Sequence, residues 1–131
     1  MHISKFTDYA FRSLIYLAIN DDKLCKIDEM AKDLFVSENH IKKIVHKLAK
    51  GNFIKSIKGR TGGIKLAMKP EDINLSSVIL YCDEISNVID CKKNNNLCCY
   101  YSNCKLKNII YDATEVFKNE FEKYTLKDLI N

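Results

Sequence analysis

The sequence predicts a mainly α-helical fold with one small β-hairpin: a winged helix-turn-helix domain followed by a long C-terminal dimerisation helix. Three observations predict it. Between Ser37 and Gly51, Ile41, Ile44, Val45 and Leu48 recur at the spacing of one helical face. Two short runs, Phe53 to Ile57 and Gly63 to Ala67, then read as strands joined by a glycine-rich turn through Lys58, Gly59, Arg60, Thr61 and Gly62. From Lys105 onward, Leu106, Ile109, Ile110, Ala113, Phe117 and Phe121 return at spacings of three and four.

At 131 residues with 47% hydrophobic content, the chain suits one modest domain with an arm and can bury a core, which argues against disorder. No run of about 18 apolar residues is present, and the N-terminus lacks the regions of a signal peptide, so a cytoplasmic protein without a membrane role is expected. In a reducing compartment, the six cysteines point to metal or cluster ligation, or to redox sensing, ahead of structural disulfides.

The first helix spans Ser4 to Asn20, with Phe6, Ala10, Leu14, Leu17 and Ala18 on one face. Asp8 lies in its first turn, where a carboxylate complements the helix dipole. Cys25 falls in the following link and reads as a small buried hydrophobe. A short helix from Ile27 to Phe35 and a tight Phe35-Val36-Ser37 turn lead to the main helix. Ser37 can cap its free N–H groups, and Gly51 is expected to close it in the left-handed conformation.

The opposite face of that helix carries Asn39, His40, Lys42, Lys43, His46, Lys47 and Lys50. From Ser37 to Lys69 there are nine Lys or Arg against one acid, Glu38, a net of +8, whereas the whole chain carries +4. The positive charge is therefore local and the remainder is acidic. A lysine-rich helix face alone would read as merely solvated. A preceding short helix, a tight turn and a basic wing together make it a DNA-reading element. Lys42, Lys43 and Lys47 are candidate phosphate clamps. Asn39, His40 and His46 can reach base edges, with Ser37 in the same DNA-facing set as the helix cap, while Lys58, Arg60 and Thr61 form a wing tip with Arg60 able to enter the minor groove.

After the wing, Pro70 stops the strand, and a helix opened by Leu75 and Ser76 should run to about Glu84 with Cys82 facing inward. From Asn87 to Cys104 periodicity is lost, and four of the six cysteines crowd into fourteen residues. The helix from Lys105 carries an apolar seam longer than a small core can use. It is best buried against its own copy, giving a homodimer that pairs two recognition helices on a pseudo-palindromic DNA site. Thr125 caps a last short turn over Tyr124 to Ile130. The implied organisation is a DNA-binding domain over 1–84, a cysteine-rich loop over 85–104, and a dimerisation helix with its tail over 105–131.

Cys91, Cys98, Cys99 and Cys104 offer three thiolates at gaps of five and six residues plus one adjacent spare. Structural zinc usually shows tight paired knuckles, so iron-sulfur ligation is the better reading, with zinc left open. Adjacent Cys98 and Cys99 point different ways and should not both bind one centre. Three thiolates leave a four-iron cluster one ligand short.

These residues bring the chain to a known family. Phe6-Thr7-Asp8-Tyr9-Ala10, Val36-Ser37-Glu38-Asn39-His40, Gly59-Arg60-Thr61-Gly62-Gly63-Ile64, the cysteine triplet and the terminal Tyr124-Thr125-Leu126 resemble, along essentially the whole chain, the iron-sulfur winged-helix repressors typified by NsrR and IscR. Within that family the chain is most similar to the nitric-oxide-sensing branch, because Asp8 stands where that branch has a carboxylate ligand. The other branch takes a histidine three residues past the last cysteine, where this chain has Lys107. The resemblance implies a 4Fe-4S cluster, in preference to 2Fe-2S, held by Cys91, Cys98 (or Cys99) and Cys104, with Asp8 of the partner subunit as fourth ligand. It also implies nitric oxide as the signal, although oxygen or iron scarcity would equally suit the residues, and zinc binding or thiol-disulfide switching through Cys98 or Cys99 are the runners-up. A small electron-transfer iron-sulfur protein is the alternative of a different class, and it has no use for the winged segment. An enzyme is not expected, because no nucleophile, base and orienting acid are grouped.

Overall fold

The computed structural model describes residues 2–83, 91–93 and 96–130. Helix α1 (Lys5–Ile19) is opened by Ser4, whose hydroxyl accepts from the Thr7 N–H at 3.1 Å. Its inward face buries Ala10, Leu14, Leu17 and Ala18 as the period requires, and also Thr7 and Ser13. Ser13 Oγ donates back to the Tyr9 carbonyl at 2.8 Å, so the buried hydroxyl is satisfied within its own helix.

Helix α2 (Ile27–Leu34) buries Met30 and Ala31 and ends at Phe35. Ser37 then caps α3 (Glu38–Lys50), accepting from the His40 N–H at 3.3 Å. Ile41, Ile44, Val45 and Leu48 are all buried against α1 and α2, each contributing about 1.5–3 kcal/mol of burial. One expectation is corrected here. Gly51 has φ −82°, and the left-handed residue is Asn52 at φ 63°. Glycine is needed at 51 for space, because a Cβ there would lie 2.7 Å from the Tyr81 ring.

Strands β1 (Ile54–Ile57) and β2 (Gly63–Leu66) pair antiparallel, Ile54 opposite Leu66 and Ile57 opposite Gly63. Each is one residue shorter than expected, although Phe53 still accepts from the Ala67 N–H at 3.0 Å. Cys25 adds a further rung, exchanging both backbone hydrogen bonds with Ile64 at 2.9 and 2.8 Å. It is 1% exposed, the buried small residue its isolation suggested.

Helix α4 (Leu75–Cys82) is capped by Asn74 and stops short of the expected Glu84, which lies outside the described residues. Just beyond it, Asp83 Oδ2 accepts from the Ser4 N–H at 3.2 Å, tying the end of α4 to the start of α1. Strands β3 (Lys92–Lys93) and β4 (Asn96–Leu97) form a second, minimal hairpin. Helix α5 (Lys105–Glu122) follows. The chain then returns, with Leu126 fully buried and its N–H donating to the Ile73 carbonyl at 2.8 Å.

The apolar stripe of α5 divides. Ile110, Phe117 and Phe121 are half-buried in a helix that packs against α4, whereas Leu106, Ile109 and Val116 are 62%, 64% and 70% exposed. Among the described residues, no helix is long and apolar enough to cross a membrane.

Candidate nucleic-acid interface and cysteine loop

Because α3 buries one stripe, its other face is presented outward. Ser37, Asn39, His40, Lys42, Lys43, His46 and Lys50 are all exposed. Lys47 is different. It is half-buried, its ammonium standing 5.7 Å from the Phe6 ring and 5.5 Å from the Tyr81 ring, a cation held between two aromatic faces. The Tyr81 hydroxyl donates to the Lys47 carbonyl at 2.6 Å, so α4 grips the last turns of α3.

The wing tip carries Lys58, Arg60 and Thr61, all exposed. It turns at Gly59, whose φ of 110° is one that side chains rarely adopt, and is closed by the Gly62 N–H donating to the Gly59 carbonyl at 3.0 Å. Lys26, at the head of α2, reaches across to the tip. Its ammonium donates to the Arg60 carbonyl at 3.2 Å and to the Gly62 carbonyl. The wing is thereby fixed to the helix pair. Sequence reasoning missed Lys26 because its partners are backbone atoms 34 and 36 residues away.

The register of β3 and β4 sets Lys92 opposite Leu97, and the ladder continues with the Cys98 N–H donating to the Cys91 carbonyl at 3.0 Å. Cys91 and Cys98 therefore face one another across the base of the hairpin. Cys91 and Cys104 are half-buried, and Cys98 and Cys99 are exposed. Cys104 stands at the head of α5, its Sγ accepting from the Lys107 N–H at 3.3 Å. Lys107 turns back to the loop, its ammonium donating to the Tyr101 carbonyl at 2.7 Å and lying 4.0 Å from that ring. These sulfurs are soft donors of the kind that iron-sulfur clusters take. The other two thiols are set apart, since burial pushes Cys25 up and Cys82 up to about 11. Within this one chain, no group of three His, Cys, Asp or Glu among the described residues stands close enough to hold a metal ion.

Asp8 is on α1 and is engaged by Arg12, Nη2 to Oδ2 at 2.9 Å and Nε to Oδ1 at 3.2 Å. The Arg12 guanidinium also lies 5.7 Å from the centroid of the Tyr9 ring, and that ring stands 6.4 Å from His40 on α3. Asp8 thus connects through Arg12 and Tyr9 to the first turn of the recognition helix. An i, i+4 acid–base spacing was the available signal for Arg12. At the start of the same helix, burial works against the Asp83 carboxylate, but hydrogen bonds from Ser4 and Thr7 outweigh it and hold the carboxyl below its usual range.

An outward basic helix, a braced basic wing and a two-helix support define a winged-helix DNA-binding regulator. The chain belongs to the Rrf2 family of iron-dependent transcriptional regulators, whose model matches residues 3–131. It is similar to the HTH-type transcriptional regulator NsrR of Bacillus subtilis (strain 168), 36% identical over 132 aligned positions that cover 99% of this chain and 90% of that protein. The protein of the same name from Oceanobacillus iheyensis is 38% identical, with 99% and 90% covered. Among solved structures, T. potens IscR shares the fold at a TM-score of 0.79 and 19% identity, covering 99% of this chain and 86% of that one. The Bacillus subtilis global cysteine regulator CymR does so at 0.73 and 23%, covering 99% and 96%. The mainly helical winged fold is as the sequence predicted, and the protein is a transcriptional regulator with a non-enzymatic role.

Proposed function

We propose that the chain acts in the cytoplasm as a homodimeric repressor whose grip on a pseudo-palindromic operator is gated by a nitric-oxide-sensitive 4Fe-4S cluster. The observation that carries this reading is the opposition of Cys91 and Cys98 across the β3–β4 hairpin, with Cys104 six positions further along the chain at the head of α5. Opposite residues of an antiparallel pair project to the same side and the next residue to the other. The opposition supports Cys98 as the middle ligand, with Cys99, in the turn that follows, as the spare. Asp8 of the partner subunit is the fourth. A carboxylate is a hard donor among soft thiolates, hence the most easily displaced. When bound, the cluster supplies iron that nitric oxide attacks.

The chain's own residues do the rest. Leu106, Ile109, Ala113 and Val116 present an exposed row on α5 whose natural cover is the same row of a second copy, as required if Asp8 is to reach a neighbour's loop. Asn39, His40 and His46 read base edges, Ser37, Lys42, Lys43 and Lys47 hold the backbone, and Lys58, Arg60 and Thr61 follow the adjacent groove. Because α1 packs on α3, a change at Asp8 is transmitted to the recognition helix. Titration of the anaerobically purified holoprotein with nitric oxide on labelled operator tests the reading. Operator release should follow the bleaching of the cluster absorption. If binding persists after bleaching, or the metal-free chain binds as tightly, the cluster is not the gate and a structural or cysteine-redox role replaces it.

A further inference from the structure

Phe35, in the turn between α2 and α3, is 95% exposed and has φ 55°. The left-handed conformation costs an ordinary residue about 1–2 kcal/mol, and a bulky side chain belongs there least. The cost is not recovered inside the chain, since the ring is almost wholly in solvent. Nor can the backbone relax, because the Phe35 N–H donates to the Lys32 carbonyl at 3.3 Å and the Val36 N–H to the Ala31 carbonyl at 3.0 Å. Leu34 and Val36, half-buried on either side, pack against the core. An aromatic ring is thus held outward at a strained position, two residues before the cap of α3 and at the end of that helix which carries Asn39 and His40.

We propose that Phe35 is a specificity-determining DNA contact, its ring packing on the 5-methyl group of a thymine at the edge of the major groove. The inference rests on the recognition-helix reading above. Three observations favour this occupant: the ring sits at the leading end of the helix that enters the groove, the segment that follows it carries +8 from Ser37 to Lys69 and so draws phosphates to this face, and the one apolar group a duplex offers there is the thymine methyl. Strain retained at a contact is a recognised signature of a functional position.

The test uses the full-length protein and a duplex that it selects from a random-sequence pool. Thymines in each half-site are replaced singly by deoxyuridine, which removes the methyl and nothing else. Wild type should lose affinity by about tenfold at one position per half-site, the low end of the cost of a lost base contact. Phe35→Gly should show the same loss on the thymine duplex and no further loss on the deoxyuridine duplex. Its melting temperature should not fall, since no packing is removed and the backbone strain is relieved, which separates lost contact from lost fold. Equal affinity of Phe35→Gly and wild type for the thymine duplex, or a Phe35→Gly loss undiminished by deoxyuridine, overturns the proposal. Failure of wild type to select any duplex would refute the DNA-reading surface itself.

Discussion

Asp8 and Arg12, one turn apart on α1, are joined at both ends of the carboxylate, at 2.9 and 3.2 Å. The pair is about half exposed, 51% for Arg12 and 46% for Asp8. Such a surface bridge is worth about 0–1 kcal/mol, little enough for a metal to break. Under the proposed ligation, Arg12 would therefore compete with iron for Asp8. Arg12→Ala should leave the melting temperature within about 2 °C of wild type and slow cluster loss to a chelator, followed by visible absorption. Faster loss would show instead that Arg12 supports the ligand.

The wing prediction turns on Lys26, which touches only the backbone of the tip. Arg60→Ala should weaken binding most on sites with A/T-rich flanks, where a narrow minor groove attracts the guanidinium. Lys26→Met should produce the same flank-dependent loss by releasing the Arg60 and Gly62 carbonyls. The two changes should not add in the double variant. Uniform loss on all flanks for Arg60→Ala would refute minor-groove reading by that residue.

For the long helix, Ile109→Asp and Val116→Asp place a charge in the exposed row of α5 without touching the core. Sedimentation should then report monomers, with the helical circular dichroism of the winged domain retained, and operator affinity should fall by at least about a hundredfold as the second half-site contact is lost. A variant that remains dimeric would assign the pairing to another surface.

Much of this was legible in the order of residues, and what escaped was long-range or too short to be periodic. The stripe Ile41, Ile44, Val45 and Leu48 is buried as read, because period alone sets a helix face. Gly51 was misread since the reason for it is the ring of Tyr81, 30 positions on, while Asn52 absorbs the turn. Lys47 looks in sequence like its neighbours Lys42 and Lys43; only the approach of Phe6 and Tyr81 distinguishes it. The two-residue strands beside Cys91 and Cys98 are too brief to alternate, so the pairing of those cysteines was invisible although their identity was not. The single stripe read on α5 proved to be two, one half-buried and one exposed.

The thiols also differ in a way that pH exposes. The Cys82 thiol is pushed up to about 11 by burial, whereas an unfolded cysteine ionises near about 8.5. Between those values the unfolded chain has lost a proton that the folded chain keeps, so stability falls as pH rises through this window and is unaffected below it. Cys82→Ala should flatten that decline in thermal melts at a series of pH values. At about pH 8 in the metal-free protein, iodoacetamide should modify exposed Cys98 and Cys99 and spare Cys82, which mass spectrometry reads directly. Alkylation of Cys82 at the same rate would contradict its burial.

The hydrogen bond from the Ser4 N–H to Asp83 bears on how a pair of subunits would behave. Under the crossed arrangement proposed above, each α1 lends Asp8 to the neighbour's cluster, while its own cap, Ser4, is moored at Asp83 to the end of α4, before the loop that carries its own thiolates. No subunit can then lose its cluster in private. Movement of the loop in one copy pulls on the helix that serves the other, and the return path is identical by symmetry. Such a dimer would behave as one two-input gate, and its release from DNA should be steeper in signal than two independent sensors could give.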